Sequence, residues 1–254
     1  LEAELSSTYE FGMDIKLFNN RVGIDATYYK NETENQILSL TLPPSYGAES
    51  RVINAGLISN SGLEIAINAT PVETADFSWN STVNFSNNNS EVERLAAGVR
   101  TQVLARQFND VVQLVATEGR PYGDLIGSTY ERDDQGRIVY DSDGLPITGE
   151  LGVIGNVTPD FLLGWQNTFK YKNITLGILL DSRFGGDIFS FTDRSMIING
   201  TDERTLRGRD YFNGGQGILV PSDAIVDGTL STEVQQRGVN PDAYWNRLGT
   251  ISEA

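Results

Sequence analysis

The sequence predicts an all-β fold of antiparallel strands, either the wall of a transmembrane β-barrel or a soluble sandwich, with the barrel favoured. Three observations carry this expectation: sustained alternation of apolar and polar residues, long strand segments, and connections that are short at one end and long at the other. The alternating segments run about 9 to 11 residues, the length of a tilted strand crossing a bilayer, whereas globular strands average about 5 to 6.

The first hairpin is expected near residues 7–32. Tyr9, Phe11, Met13, Ile15 and Leu17 alternate with Glu10, Gly12, Asp14 and Lys16. After Asn19-Asn20-Arg21 the pattern resumes with Val22, Ile24, Ala26 and Tyr28 against Gly23, Asp25 and Thr27. A second hairpin is expected near 60–86, where Leu63, Ile65, Ile67 and Ala69 alternate with Gly62, Glu64, Ala66 and Asn68. Its turn is placed at Pro71 to Asp76, followed by Phe77, Trp79, Val83 and Phe85 against Ser78, Asn80, Thr82 and Asn84. A third is expected near 160–182, with Phe161, Leu163, Trp165 and Phe169 returning through Lys172-Asn173 to Ile174, Leu176, Ile178 and Leu180. Its other face carries Gly164, Gln166, Thr168, Thr175 and Gly177.

The segments between these hairpins, near 31–60, 87–123 and 182–254, read as long loops. Short turns at one end and long loops at the other are the pattern of bacterial outer-membrane barrels, and loops of that length sit poorly in a compact soluble domain. Tyr9, Phe11, Tyr28, Phe77, Trp79, Phe169 and Tyr171 are expected near strand ends, as interfacial girdles are; core aromatics of a sandwich are the alternative.

Composition narrows the function. Asp and Glu number 34 against 19 Lys and Arg, a formal net charge of −15, which argues against a nucleic-acid partner. With no cysteine there is no disulfide framework or zinc–thiolate site, and with no histidine every Ser-His or Cys-His dyad is excluded. No apolar run reaches the length of a transmembrane helix, and the chain opens on a polar stretch rather than a signal peptide, as expected of an internal or processed segment. Several N-x-S/T sequons, including those at Asn31, Asn68, Asn80 and Asn156, reflect abundant Asn and Thr more simply than glycosylation.

Asp133, Asp134, Asp141 and Asp143 lie in two acidic Gly turns around a short strand. Calcium ligation is the sharper reading, but the EF-hand spacing and its final Glu are missing. A β-hairpin is favoured, because Asp and Gly together stabilise turns. Asn240-Pro241-Asp242 predicts a helix start, with Asn as N-cap and Pro at the first position. Ser90 and Glu93 have capping-box spacing but equally prolong the preceding strand, and Gly214-Gly215-Gln216-Gly217 reads as a flexible turn.

Three stretches resemble the SusC/RagA-type TonB-linked outer-membrane transporters of Bacteroidetes. They are Ser7-Thr8-Tyr9-Glu10-Phe11-Gly12-Met13-Asp14 through Asp25-Ala26-Thr27-Tyr28-Tyr29; Val52-Ile53-Asn54-Ala55-Gly56 with Asn60-Ser61-Gly62-Leu63-Glu64; and Thr158-Pro159-Asp160-Phe161 through Gly185-Gly186-Asp187-Ile188-Phe189-Ser190. Arg120-Pro121-Tyr122-Gly123 and the segment from Asp133 to Ile147 also fit, and the resemblance is weakest over Thr201 to Gly238.

The resemblance implies a segment of a barrel of about 22 strands closed around a plug, in the bacterial outer membrane. The plug, the TonB box and the last strands are expected outside these 254 residues. It further implies import of oligosaccharides or peptides, a SusD-like surface lipoprotein as lid, energy from TonB and no cofactor. On that footing Glu10, Asp14, Glu64, Asn68, Asn80, Asn84 and Gln166 are expected to line the lumen. Tyr9, Phe11, Tyr28, Phe77, Trp79, Trp165, Phe169 and Tyr171 are expected to face lipid. A secreted β-sandwich, acting as a carbohydrate-binding or adhesin module, is the alternative. A hydrolase with paired carboxylates is disfavoured, because the available Asp residues sit in turn sequence and nothing pairs them across a cleft.

Overall fold

Antiparallel pairing organises the chain. A computed structural model describes residues 2–41, 47, 50–54, 56–219, 225–226, 228–230 and 239–252. Ala55 of the second family-like stretch, and residues 220–224, 227 and 231–238 of the last long connection, lie outside the described residues. Two compact units are present. Unit 1 comprises Leu1–Val103, Val115–Asp124 and Asn156–Asp187; unit 2 comprises Leu104–Leu114, Leu125–Gly155 and Ile188–Ala254.

In unit 1, β1 (Leu5–Leu17), β2 (Val22–Glu34), β5 (Leu57–Glu73), β6 (Phe77–Arg94), β13 (Phe161–Tyr171) and β14 (Ile174–Phe184) form one antiparallel sheet in the order β1-β2-β5-β6-β13-β14. The hairpin of β3 (Ile37–Thr41) and β4 (Ser50–Asn54) lies between β2 and β5, and β9 (Arg120–Pro121) pairs with β6. The turns joining β1 to β2, β5 to β6 and β13 to β14 are short, and every long connection leaves from the opposite end of the sheet.

The strands outrun the expected 9 to 11 residues: β1 and β2 have 13, β5 has 17 and β6 has 18, while β13 and β14 have 11. The long segments are correspondingly less loop-like than their sequence implies. The region near 31–60 holds the end of β2 and the β3–β4 hairpin, and β6 extends through Ser90 and Glu93. The turn expected to begin at Pro71 begins after Glu73 instead. A register shift between Ala69 and Val72 inserts a bulge at Thr70-Pro71. Proline has no N–H to give a ladder and is tolerated at such a site.

The β1–β2 turn has an unusual backbone. Phe18, Asn19 and Asn20 all take positive φ, 54°, 56° and 67°, closed by Arg21 N–H to the Phe18 carbonyl at 3.2 Å. Asn reaches this region more readily than most side chains, but a bulky aromatic seldom does. The same turn recurs at Phe108-Asn109-Asp110, with φ of 54°, 57° and 66°. It joins β7 (Thr101–Gln107) to β8 (Val112–Thr117). There Phe108 stacks on Phe191 at 4.6 Å between ring centroids, an aromatic contact that offsets backbone strain. Phe18 remains exposed.

A second sheet has the order β12-β10-β8-β7, with β10 (Asp124–Tyr130) and β12 (Thr148–Asn156). Between β10 and β12, unit 2 builds a small closed motif with an eight-residue repeat. Val139 N–H donates to Glu131 O, Ile147 N–H to Val139 O, and Glu131 N–H to Ile147 O, each at 2.9 Å. The two corners are the same turn twice. Asp133 Oδ1 accepts from the N–H groups of Gln135 and Arg137, and Asp141 Oδ1 from those of Asp143 and Leu145. The core beside it is Tyr140, Ile218 and Val239, joined by Ile138, Leu145, Val226, Tyr244 and Trp245.

β11 (Val139–Tyr140) pairs in parallel with β15 (Ile225–Val226), which pairs with β16 (Thr229–Leu230). α1 (Phe191–Ile198) is capped by Ser190. α2 (Pro241–Thr250) starts at the Asn240 cap with Pro241 in its first turn.

The Arg137 guanidinium, and then the backbone N–H groups, hold the Asp133 carboxyl below its ordinary value of 3.8. A depressed carboxylate contributes stability that is present above the ordinary value and lost as pH falls through the folded one. Hydrogen exchange at the Gln135 and Arg137 amides should therefore be slow and flat from pH 7 to 5, after correction for intrinsic rates. Protection should fall below the ordinary carboxylate range. Asp133→Asn should remove that pH dependence.

Candidate functional site

The register of the unit 1 sheet sorts side chains onto two faces. On the first, one row reads Asp14, Asp25, Ala66, Asn84, Gly164 and Asp181, and the next reads Gly12, Thr27, Glu64, Ser86, Leu162 and Arg183. A third reads Lys16, Gly23, Asn68, Thr82, Gln166 and Leu179, while Glu10 lies opposite Tyr29. Asn80 joins this face through Thr70, whose hydroxyl donates to Asn80 Oδ1 at 2.9 Å. Glu10, Asp14, Glu64, Asn68, Asn80, Asn84 and Gln166 thus share one surface.

Glycines and small residues make that surface concave. A trough of about 510 Å³ is lined by Asp25, Glu64, Asn84, Ser86, Gly164 and Asp181, among others. A smaller one, about 300 Å³, is lined by Lys16, Arg21, Asn68, Thr70 and Asn80, among others. The amides are partly engaged with neighbours: Thr82 Oγ1 donates to Asn68 Oδ1 and Tyr29 Oη to Asn88 Oδ1, both at 2.9 Å. Asp25, Asp181, Tyr29 and Asn88 are additions that a list of residues, read strand by strand, does not assemble. The row that carries Asp25 and Asp181 along one trough with Glu64 needs the registers of four strand pairs.

On the second face, rows of Leu17, Val22 and Ala69, of Ile15, Ile24, Ile67, Val83, Trp165 and Leu180, and of Met13, Ala26, Ile65, Phe85 and Leu163 form an apolar surface. Phe11 and Tyr28 pair toward the long-connection end, beneath Tyr9. Phe77 pairs with Tyr171, and Trp79 with Phe169, toward the short turns. The strands continue past Tyr9, Phe11 and Tyr28, so these three stand several residues inside β1 and β2 rather than at their ends, and Trp165 is mid-strand.

The Ser81–Asn167 pair interrupts this face. Trp79 Nε1 donates to Asn167 Oδ1 and Trp165 Nε1 to Ser81 Oγ, each at 2.9 Å. Two indoles from neighbouring strands therefore cover one polar cross-strand pair from opposite sides, and Asn167 is only 5 % exposed.

A further polar network sits at the long-connection end of unit 1. Asn156 uses every hydrogen-bonding group it has. Its Nδ2 donates to Asp124 Oδ1 at 2.9 Å and Tyr122 O at 3.3 Å, and its Oδ1 accepts from Thr158 N–H at 2.8 Å. Its backbone N–H donates to Asp187 Oδ2 at 2.8 Å, and its carbonyl accepts from Asp187 N–H at 2.7 Å. Asp124, 1 % exposed, takes its second partner from Arg120 Nε at 2.5 Å.

The four turn aspartates do not converge. The second oxygen of Asp133 is held by Arg137 at 2.5 Å and 2.9 Å, and Asp141 caps its own turn. Among the described residues no group of three or more Asp, Glu, His or Cys side chains is placed to hold a metal ion.

A family model described as "TonB dependent receptor-like, beta-barrel" matches residues 1–179. The chain belongs to this family. It is accordingly an outer-membrane β-barrel protein segment. It is 28 % identical over 217 residues to the TonB-dependent receptor P3 of Formosa agariphila, covering 76 % of this chain and 21 % of that protein. To the TonB-dependent receptor SusC of Bacteroides thetaiotaomicron it is 24 % identical over 208 residues, covering 74 % and 20 %. The chain thus spans about a fifth of the length of these curated relatives. Its fold matches the structure of the RagAB peptide transporter with a TM-score of 0.63 at 22 % identity, covering 78 % of this chain and 23 % of that one.

The paired indoles give a test within the full-length parent protein. Removing Asn167 strands the Trp79 N–H, so Asn167→Leu should destabilise by about 1–2 kcal/mol. Combined with Trp79→Phe, the double variant should lose less than the sum by roughly 0.5–1 kcal/mol. Denaturant unfolding in detergent measures the cycle, and additive losses would show that the contact carries no coupling.

Proposed function

We propose that these residues form part of the wall and outer loops of a TonB-dependent importer of oligosaccharides or peptides. The apolar face of the unit 1 sheet meets lipid and the polar face lines the lumen. Sidedness carries this reading. Tyr9, Phe11 and Ile174 are 68, 72 and 70 % exposed, alongside Met13, Leu176 and Leu180. A sandwich would bury these side chains in its core, and soluble monomers rarely expose apolar patches beyond a few hundred Å².

The dimensions also support it. Phe161 to Tyr171 spans ten residue steps along β13. At about 3.4 Å per step and a tilt near 40°, that is roughly 26 Å along the membrane normal, close to the apolar band of outer-membrane barrels. Phe77, Trp79, Phe169 and Tyr171 form the girdle on the short-turn side. Tyr9, Phe11 and Tyr28 form the opposite girdle, and Trp165 lies within the band.

Glu10, Asp14, Glu64, Asn68, Asn80, Asn84 and Gln166, with Asp25 and Asp181, then present amide and carboxylate groups to the lumen. These suit the hydroxyls of glycans or the backbone N–H groups of peptides. The long-connection side is where a SusD-like lipoprotein would sit as lid. TonB would be engaged by other parts of the longer parent protein.

Fractionation of cells expressing the parent protein tests the placement. It should pellet with the outer membrane and require detergent for extraction; release as a soluble monomer would overturn it. Within the parent, Ile67→Arg should lower stability by about 2–4 kcal/mol if its side chain meets the bilayer mid-plane. Glu64→Gln should leave assembly and heat-modifiable migration unchanged while altering uptake of oligosaccharide or peptide. Equal effects of the two on assembly would show that the faces are misassigned.

A further inference from the structure

The chain passes between the two units at five places: Val103/Leu104, Leu114/Val115, Asp124/Leu125, Gly155/Asn156 and Asp187/Ile188. The last three are not independent. Asp124 closes the stem that leaves unit 1, Asn156 opens the stem that returns, and Asp187 ends unit 1 before the final excursion. Asn156 is bonded directly to both of the others.

We infer that Asn156 is a pin that gathers these three stems at one point of the wall, so that the excursions beginning at Leu125 and Ile188 are held, and released, together. The stereochemistry supports this beyond the bonds of Asn156 itself. Val157 N–H donates to Gly123 O at 3.1 Å and Thr158 Oγ1 to Tyr122 O at 3.3 Å, tying the outgoing stem to the returning one. Asp160 N–H donates to Phe184 O at 2.9 Å, and Arg183 Nη2 donates to Val157 O, tying the returning stem to the third.

Gly185 and Gly186, at φ of 69° and 76°, leave no room for side chains: a Cβ would run into the Asp160 carboxylate at the first and the Arg183 guanidinium at the second. Asp124 is buried and doubly bonded, so its charge is committed to the pin rather than to solvent.

An amide is the side chain suited to this position. It must donate to the Asp124 carboxylate and the Tyr122 carbonyl while accepting from Thr158 N–H, which neither Asp nor Leu of similar size achieves. A carboxylate at 156 would face that of Asp124 and repel it.

The experiment uses the full-length parent protein in the outer membrane of intact cells, digested by an added protease. Heat-modifiable migration on SDS gels reports the barrel separately. Asn156→Ala should raise cleavage about tenfold or more near all three stems, around residues 120–125, 155–160 and 185–190, while heat modifiability persists. Asn156→Asp should open the same sites at neutral pH and recover part of its resistance at acidic pH, where the new carboxyl is protonated.

Wild-type resistance in both variants, or cleavage confined to one stem, overturns the pin. Should Asn156→Ala fail to reach the membrane, Asp187→Ala decides under the same criteria. It leaves the Asn156 side-chain bonds to Asp124 intact and removes only the carboxylate that Asn156 N–H donates to.

Discussion

Backbone register is the constraint on which this wall depends. A slip of one residue in a strand exchanges its two faces. The pairing of β1 with β2 is unbroken from Leu5↔Glu34 to Leu17↔Val22, and that of β13 with β14 from Phe161↔Phe184 to Tyr171↔Ile174. With these registers aligned, most apolar side chains of the six strands fall on one surface and most polar ones on the other, Leu162 and Leu179 and the Ser81–Asn167 pair being exceptions. A strand such as β1 shows the alternation alone, whereas β6, read in isolation, is half Asn and Ser and takes its sidedness from its neighbours.

Departures from strict alternation are accommodated by local devices rather than by breaking the sheet. At Thr70-Pro71 the bulge restores Val72 to the apolar face, where it pairs with Trp79. At Ser81 and Asn167, two polar residues on the apolar face are covered by indole N–H groups, which leaves aromatic carbon outward. The indoles thereby give the Asn167 Oδ1 and Ser81 Oγ acceptors a partner on a face that otherwise offers them few. The turns show the same economy: one Phe-Asn-Asn/Asp conformation closes hairpins in both units, although it places an aromatic residue at positive φ.

Much of this was legible in the sequence, for a physical reason. Period-two alternation follows directly from strand geometry, so the hairpins around Asn19-Asn20 and Lys172-Asn173, and the common face of Glu10, Asp14, Glu64 and Asn84, could be read from spacing alone. Strand ends could not. Val92 and Arg94 prolong β6 well beyond the alternation that ends near Phe85, because pairing with β5 and β9 rather than sidedness sustains them. The Pro71 turn was misplaced because a bulge admits proline without ending a strand. The segment from Asp133 to Gly144 announced two turns but not the closed eight-residue repeat, whose third side, from Glu131 to Ile147, depends on contacts across 16 residues.

The network around Asn156 was the least legible feature, although its parts lay in stretches that carried the family resemblance. Arg120-Pro121-Tyr122-Gly123, Thr158-Pro159-Asp160 and Gly185-Gly186-Asp187 are far apart in sequence, and none has a periodicity or spacing that signals chemistry. Their common location explains why each has its composition. Gly185 and Gly186 admit the close approach of Asp160 and Arg183, Asp124 and Asp187 accept what Asn156 donates, and Thr158 completes the amide. A barrel wall is stabilised by its ladder wherever strands pair, but the ladder ends where the long connections leave it. There the fixed geometry comes from side chains and from backbone bonds such as those at Asn156. Three of the stretches that carried the resemblance thus meet, in three dimensions, where the long connections leave the sheet.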